Sequence, residues 1–342
     1  MKKLYKKILL GGVASTLLGG VLFLVGCGAN GFNLNFLSNV QIEQKEYTES
    51  ADTNITTLSF AFETTDFIVN FDENAQGVSV SYPQRQNKKG ENVSEITVTE
   101  TENSLTITEK ALFHISMFDF NDKKLTVTLP TSKAYALSFE GDTGDVTVNA
   151  GGSFSNLTVK ISTGDISLSN VQAEQLSATL STGDIKVDGA TIAGDFTTKA
   201  STGDTSLSSI TAGSLSAKAS TGNVKIDGVS VADAVSVETS TGNITFTGSV
   251  KAETVTLVAD TGKVKARDAV IDATTLSFTT NTGDVVATLT CTKHDYATSV
   301  TTSTGDANIS SNLENVLEGL INPTRTLKAK TSTGDIKIYF AN

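Results

Sequence analysis

Apolar and polar residues alternate with period two through most of the chain, which is the pattern of half-buried β-strands. In the C-terminal two thirds, each unit holds two such stretches. One follows a Thr-Gly pair, as in Ile185/Val187, and the other precedes the next pair, as in Leu176/Ala178. Two strands this short cannot bury their own apolar faces, so neighbouring units must stack to form a core.

The stretches are separated by ten Thr-Gly pairs, most of them followed by Asp or Asn. This spacing predicts an all-β chain, folded as a single β-solenoid or β-helix-like stack of about ten coils of roughly 20 residues. The predicted turn residues have a structural role; they are Gly144, Asp145, Gly164, Asp165, Gly183, Asp184, Gly203, Asp204, Gly222, Asn223, Gly242, Asn243, Gly262, Gly283, Asp284, Gly305, Asp306, Gly334 and Asp335.

The unit of duplication is a pair of coils, since residues 163–201 match residues 202–240 almost phrase for phrase. The first outward position after each turn alternates between a small hydroxyl residue and lysine: Ser167, Lys186, Ser206, Lys225, Thr245 and Lys265. Stacked strands lie roughly 4.8 Å apart, and like charges directly opposite each other are destabilising. The alternation therefore predicts in-register stacking, with lysines on every second coil.

The recurring Asp after each Thr-Gly pair allows two interpretations. Calcium-binding repeats use an Asp in each turn, but they draw several oxygens from adjacent turns in a denser glycine rhythm. Asn223, Asn243 and Lys263 replace the acid here. We therefore expect no metal and no cofactor. The favoured interpretation is a turn in which glycine takes a positive φ and the Asp or Asn side chain bonds its own backbone two residues on.

The N-terminus has the pattern of a secretion signal: lysines precede an uncharged run from Ile8 to Gly26. The run closes on Leu24-Val25-Gly26-Cys27, which resembles a lipoprotein lipobox with Cys27 as the lipidated residue. The alternative is an uncleaved membrane helix, since about 20 apolar residues span a bilayer. Residues 1–27 are thus predicted as signal peptide or anchor and 28–50 as a tether. Both interpretations place the rest of the chain on the extracytoplasmic face of the cell membrane.

The remaining chain is divided into residues 51–140, predicted as a strand-rich N-terminal cap, and residues 141–342, predicted as the Thr-Gly-Asp solenoid. Val316, Leu317, Leu320 and Ile321 recur at helical spacing after a capping-box pattern and predict a short helix near the C-terminus. That helix either packs on the core or binds a partner. Phe113, Phe118 and Phe120 are expected to pack in the cap, with an aromatic ligand shelf as the alternative.

Charge and composition narrow the range of partners. The formal net charge of −11 argues against a grip on nucleic-acid phosphates. The chain has no Trp and only six Tyr, so the usual platforms for sugar stacking are scarce, although the Ser and Thr columns leave a glycan surface open. A protein or glycan ligand of unknown identity is the expected partner, beside the membrane that holds the anchor.

Enzyme chemistry has few candidates. Cys291, His294 and Asp295 could suggest a nucleophile or a metal ligand set, but a zinc site needs three or four ligands and the only other His is His114. The pairs Lys186/Asp188 and Lys225/Asp227 recur with the repeat, whereas a catalytic site should break it. The chain is therefore predicted not to be an enzyme, and a polysaccharide-cleaving β-helix is the competing class.

Alternating strands, a KLTVTLP phrase and serial Ser-Thr-Gly-Asp-Ile turns resemble the bacterial putative-adhesin family, domains of unknown function built as β-solenoid-like sheets. The resemblance covers roughly residues 50–342 and implies an envelope-exposed, non-catalytic domain with no catalytic residues to carry over. The predicted function is thus a surface-anchored adhesion or interaction module. The alternatives are an envelope scaffold or sensing protein acting with a membrane partner and, less favoured, a polysaccharide-binding module.

Overall fold

The computed structural model describes residues 41–50, 53–87, 89–111, 124–149, 151–290, 295–311 and 323–341. These residues form no α-helix, and their strands join in one hydrogen-bonded sheet. The strands are β1 (Gln41–Thr48), β2 (Thr57–Thr64), β3 (Phe67–Asp72), β4 (Ser79–Gln86), β5 (Ser94–Glu100), β6 (Ser104–Ala111), β7 (Leu125–Pro130), β8 (Ala134–Thr143), β9 (Val146–Val148), β10 (Ser153–Thr163), β11 (Ile166–Ala173), β12 (Leu176–Thr182), β13 (Ile185–Thr202), β14 (Thr205–Thr221), β15 (Val224–Val231), β16 (Ala234–Thr241), β17 (Ile244–Thr261), β18 (Val264–Thr282), β19 (Val285–Leu289), β20 (Tyr296–Thr304), β21 (Ala307–Ser311), β22 (Arg325–Thr333) and β23 (Ile336–Phe340).

Parallel stacking of successive coils confirms the predicted β-solenoid-like architecture. The segments before each turn form one ladder, in which Leu157 pairs with Leu176, and Leu176 with Phe196. The segments after each turn form a second ladder, in which Ile166 pairs with Ile185. The predicted lysine alternation is also confirmed: Ser167, Lys186, Ser206, Lys225, Thr245 and Lys265 are successive partners across the stack.

Five of the described coils have a second bend that the hydrophobic pattern does not show. The bend lies four positions after the first inward-pointing residue that follows the Thr-Gly turn. The residue at the bend has a positive φ, and these residues are Asn170 (φ 49°), Gly189 (φ 68°), Ser209 (φ 55°), Gly228 (φ 64°) and Gly248 (φ 68°). β13, β14 and β17 run through this bend without a break, and β18 is likewise continuous from Val264 to Thr282, so in these coils one long strand spans both legs. The predicted division of every coil into two separate strands is therefore wrong at these four coils.

At both ends, the order of coils in space differs from their order in the sequence. At the N-terminal end, β2 and β3 lie between β6–β7 and β8–β9. At the C-terminal end, β22 and β23 lie between β18–β19 and β20–β21. The Gly334 coil is the last Thr-Gly coil in the sequence but not the last in the stack. It forms the penultimate layer of the described coils, and the Gly305 coil is outermost among them.

The N-terminal region combines solenoid coils with antiparallel strands that cover their outer edge. β5 pairs antiparallel with β6, and β4 pairs antiparallel with both β7 and β1. The carboxylate of Glu49 fixes this layer by accepting the N–H groups of Ile55 and Val78, each at 2.7 Å. β1 occupies residues 41–48, so the end of the segment predicted as a tether is part of the folded cap.

Several predicted features lie outside the described residues. These are the signal or anchor with Cys27, the aromatic residues Phe113, Phe118 and Phe120, and the helix carrying Val316, Leu317, Leu320 and Ile321. Within the described ranges, no helix has the length and apolar character needed to cross a bilayer.

Inward side chains form continuous columns along the stack, as each coil contributes one residue to each column. Phe67 and Phe139 stack with ring centroids 4.3 Å apart near the N-terminal end. Thr205 interrupts the column between Ile185 and Val224. It is 1% exposed, and its hydroxyl has no hydrogen-bond partner. A buried, unpaired hydroxyl costs free energy that an apolar residue of the same shape does not.

Thr205→Val is expected to raise the free energy of unfolding by about 1 kcal/mol, because valine keeps the shape and removes the unpaired hydroxyl. Thr239→Val is the matched control. Thr239 is also buried, but its hydroxyl donates to the carbonyl of Gly222 at 3.1 Å, so its replacement should be destabilising. Denaturant unfolding of the two variants measures both signs; equal effects would contradict this account.

Candidate functional site

The glycines of the Thr-Gly turns form a straight column along one edge of the stack. All ten have a positive φ, between 129° at Gly164 and 151° at Gly242. Their Cα atoms also face the carbonyl oxygen of the preceding coil's turn. A Cβ on Gly203 would lie 1.8 Å from the oxygen of Gly183. Glycine is thus required twice, for its backbone conformation and for the close approach of adjacent coils.

The Asp and Asn side chains that follow these glycines link one coil to the next. Asp145 Oδ1 accepts the backbone N–H of Asp165 at 2.8 Å, and Asp165 Oδ1 accepts that of Asp184 at 2.8 Å. Asn243 Oδ1 likewise accepts the N–H of Lys263 at 2.9 Å. The prediction that each side chain bonds its own backbone two residues on is therefore wrong. These oxygens serve the neighbouring coil, and Asn can replace Asp because both supply the acceptor.

The column of side-chain oxygens that accept backbone N–H groups begins before the first Thr-Gly pair. Thr64-Thr65-Asp66 has the register of a Thr-Gly-Asp turn, and Asp66 Oδ1 accepts the N–H of Asp145 at 3.0 Å. Sequence reasoning missed this coil because Thr65 stands where the other coils have glycine. The alternation in LSFAFETTDFIVNF, which leads through Asp66, was the available signal.

Lys263 interrupts the column, since its side chain has no acceptor oxygen. Its Nζ instead lies 2.8 Å from Asp284 Oδ2, and this contact lowers the pKa of the Asp284 carboxyl. The N–H of Asp306, together with Lys337, lowers the pKa of Asp335 in the same way. A lowered pKa in the folded chain stabilises the fold above the unfolded value of about 3.9. That contribution is lost as the pH falls through the folded values.

Asp184→Ala is expected to lower the free energy of unfolding by about 1 kcal/mol, because the N–H of Asp204 loses its acceptor at 2.7 Å. Asp184→Asn is the matched control and should stay within about 0.5 kcal/mol of the wild type, since the amide oxygen replaces the carboxylate oxygen. Urea unfolding compares the three proteins. A loss in the Asn variant as large as in the Ala variant would show that charge, and not the acceptor, matters.

The carboxylate column does not assemble a metal site in the part of the chain that the structure describes, where no three His, Cys, Asp or Glu side chains converge on one point. From Asp66 to Asn243, and again at Asp284 and Asp335, one side-chain oxygen of each acidic or amide turn residue accepts a backbone N–H of the next coil in the stack. The hydrogen-bonding role thus accounts for the recurrence of Asp without calcium.

The residues considered for catalysis are not brought together in the described residues. Lys186 and Asp188 lie on an exposed strand face, and Ser208 Oγ donates to Asp188 Oδ1 at 2.7 Å as one more contact between coils. Asp295 is described, whereas Cys291 and His294 lie outside the described residues, as does Cys27. Both Lys186 and Asp188 are exposed, so this pair lacks the enclosed cleft that acid–base chemistry requires.

Two open grooves cross the outer surface of successive coils. The first, of about 500 Å³, runs between an outward row containing Lys199, Lys218 and Glu238 and a row of serines that includes Ser201 and Ser220. Lys218 Nζ and Glu238 Oε2 form an ion pair of 2.8 Å across adjacent coils. A long, shallow groove lined by hydroxyls and mixed charges suits an extended polar ligand better than a small apolar one.

The second groove, of about 600 Å³, lies on another part of the same coils. It is formed just before the strand segments that run into the Thr-Gly turns. Its walls include Lys251, Glu253 and Asp272, and its floor is formed by small residues such as Ala252 and Ala273. Both grooves extend over several coils, so they are products of the stacking itself. No sequence motif marks them, because their walls come from positions about 20 residues apart.

Residues 55–194 and 191–339 each match the Toastrack DUF4097 family model, so two consecutive matches cover most of the chain. No curated protein matches it. Among solved structures, a putative adhesin from Bacteroides fragilis is 15% identical, with a TM-score of 0.43 over 66% of this chain and 96% of that one. A putative lipid binding protein from Parabacteroides distasonis is 14% identical, with a TM-score of 0.30 over 88% of this chain and 97% of that one.

A putative cell adhesion protein from Clostridium sporogenes is 12% identical, with a TM-score of 0.20 over 88% of this chain and all of that one. The family match is independent of these structural likenesses and rests on the sequence of both halves. It also begins at residue 55, which includes the coil of β2 and β3 that lacks a Thr-Gly pair. The chain belongs to the Toastrack DUF4097 family.

Proposed function

We propose that this protein is a non-catalytic interaction module, held on the outer side of a bacterial membrane by a lipidated Cys27 or by an uncleaved N-terminal helix. Its ligand is a protein or an extended glycan. The observation that carries the proposal is the use of the repeated polar residues: within the described chain they connect one coil to the next instead of converging on a reaction centre.

The surface left by this construction favours binding over catalysis. The outward rows are exposed, polar and regular, and the two grooves lie open across several coils. Rigid strands present these rows at a fixed spacing of roughly 4.8 Å, so a repetitive or extended ligand can make the same contact many times. Weak contacts repeated in this way give useful avidity without a deep pocket.

Surface display is tested by comparing whole cells that produce the wild type with cells that produce Cys27→Ser. Protease added outside should remove the wild-type domain, and intact mass should show a mature chain that begins at a lipidated Cys27. An unprocessed chain that is still shaved from outside would assign residues 8–26 to a membrane helix. A chain protected from external protease in both strains would overturn the surface assignment.

Binding is tested with the same cells on arrays of cell-wall and host glycans and proteins. Lys199→Glu combined with Lys218→Glu replaces both lysines of the first groove by acids, while Lys186→Glu combined with Lys225→Glu does the same to two exposed lysines on the other ladder as a matched control. Selective loss in the groove variant is expected. Turnover of an ester or glycan by the purified chain, abolished by His294→Ala, would contradict a non-catalytic role.

A further inference from the structure

The first groove has its positive and negative charges at opposite ends. One wall is a row of partners on successive coils, in which Lys199 pairs with Lys218, and Lys218 with Glu238. The other wall is the row of serines, which ends at Asp260. The groove is therefore neutral as a whole, but its two lysines lie toward the N-terminal end of the stack and its two acids toward the C-terminal end.

The contact between Lys199 and Lys218 departs from the charge pattern of the other coils. It is the one place in the described ladders where two lysines are direct partners. On the other ladder, lysines alternate with Ser or Thr from Ser167 to Lys265. Like charges directly opposite each other destabilise a sheet. An arrangement that costs stability, in a repeat that elsewhere avoids it, is typical of a functional site.

One cation and one anion of the groove remain for a ligand. Lys218 is neutralised by its ion pair with Glu238, whereas Lys199 and Asp260 have no charged partner in the described chain and are both exposed. They lie on opposite walls and three coils apart, which is about 14 Å along the stack at roughly 4.8 Å per strand. This distance exceeds the Debye length of about 8 Å, so each charge attracts its own group of a ligand.

The remaining lining of the groove suits a peptide better than a sugar chain. Ala200 and Ala219 form the floor beside the two lysines, and their small side chains leave room for a backbone between the walls. The hydroxyls of Ser201 and Ser220 can donate to carbonyl groups and accept from N–H groups. Among the described residues that line the groove there is no aromatic side chain, so a sugar ring has no surface on which to stack.

We propose that the first groove binds an extended peptide segment of a partner protein, with an acidic and a basic side chain four positions apart. In an extended chain, side chains at positions i and i+4 point to the same side and lie about 13–14 Å apart. This spacing matches the separation of Lys199 and Asp260 along the stack. The acidic side chain contacts Lys199, the basic one contacts Asp260, and the serine hydroxyls bond the peptide backbone. The inference rests on the proposed function and names its class of ligand.

The spacing is tested with two synthetic peptides that have blocked ends and the same composition. Gly-Asp-Ser-Gly-Ser-Lys-Gly carries its charges four positions apart, and Gly-Ser-Asp-Lys-Gly-Ser-Gly carries them on neighbouring residues. Two-dimensional NMR of the isotope-labelled full chain in mild detergent gives the dissociation constants and the site. The first peptide should shift the amide signals of Ser201, Ser220 and Ser240 and bind about threefold to fivefold more tightly, because only it reaches both exposed charges.

Exchanging the two charges of the groove separates recognition from general stickiness. Lys199→Glu should weaken the first peptide about fivefold, since attraction is replaced by repulsion. Lys199→Glu/Asp260→Lys should restore the affinity, because an extended peptide can bind in the reverse direction. Lys186→Glu is the matched control: Lys186 is an exposed lysine of the other ladder, and its replacement should leave binding unchanged.

The outcomes distinguish this inference from the proposed function. Equal affinities for the two peptides, or a charge-exchanged variant as weak as Lys199→Glu, would overturn the peptide assignment. A glycan that binds the groove while neither peptide does would also overturn it, and would leave the proposed function standing. Array ligands whose binding survives both the groove and the control variants would contradict the groove of the proposed function itself.

Discussion

Gly203→Ala is expected to lower the free energy of unfolding by about 3–6 kcal/mol, from a strained backbone and a steric clash together. Gly203 has a φ of 132°, which residues with a Cβ rarely adopt. The added Cβ would also lie 1.8 Å from the carbonyl oxygen of Gly183. The position of the Cβ is fixed by the backbone of one coil and the oxygen belongs to the backbone of the next, so the contact is relieved only if two coils separate.

Gly228→Ala is the control for this prediction. Gly228 also has a positive φ, 64°, but a Cβ there would meet no atom within 4 Å. Its replacement isolates the conformational cost, about 1–2 kcal/mol. Denaturant unfolding gives the two free energies, and hydrogen exchange shows whether the Gly203 variant opens at the Gly183 and Gly203 turns first. Equal losses in both variants would mean that the contact between coils adds nothing.

Arg85→Met is expected to lower the free energy of unfolding by about 3–5 kcal/mol, because it leaves the carboxylate of Glu109 buried without its cation. The guanidinium of Arg85, in β4, pairs with Glu109 of β6 and also donates to the carbonyl of Thr64 at the end of β2. The two side chains are only 10% and 2% exposed. This pair therefore joins the antiparallel cover to the first coils of the stack.

The double variant Arg85→Met/Glu109→Met distinguishes the pair from the burial of charge. Replacing both members by apolar residues removes the unpaired carboxylate, so it should recover most of the stability lost in Arg85→Met. Thermal or denaturant unfolding of the single and double variants completes the cycle. A double variant no more stable than Arg85→Met would show that the hydrogen bond to Thr64, and not the ion pair, holds the cover in place.

The sequence alone predicted the architecture because the information for a stacked repeat is local. Each coil carries its own alternating strands and its own turn, and a fixed period leaves few ways to stack them. The outward series from Ser167 to Lys265 also indicated the register, since only in-register stacking keeps the lysines apart. The turn glycines were identifiable for the same reason, as a positive φ is a property of the residue itself.

The contacts between coils required the tertiary structure. Asp145 and Asp165 were identified as turn residues, but the sequence did not show that their oxygens bond the next coil instead of their own turn. The ion pair of Arg85 and Glu109 joins residues of β4 and β6 that are 24 positions apart in the sequence, and no periodic signal connects them. Such contacts depend on distances set by the whole stack.

The order of the coils was likewise decided only by tertiary structure. A repeat pattern states that coils stack on similar neighbours, and every coil in this chain offers nearly the same edge. The coil of β22 and β23 can therefore take the place beside β18 and β19, although the coil of β20 and β21 is nearer to them in the sequence. The sequence determined what each layer is and how it pairs. Long-range packing determined which layer lies at each end, because local patterns that fit any neighbour cannot select one.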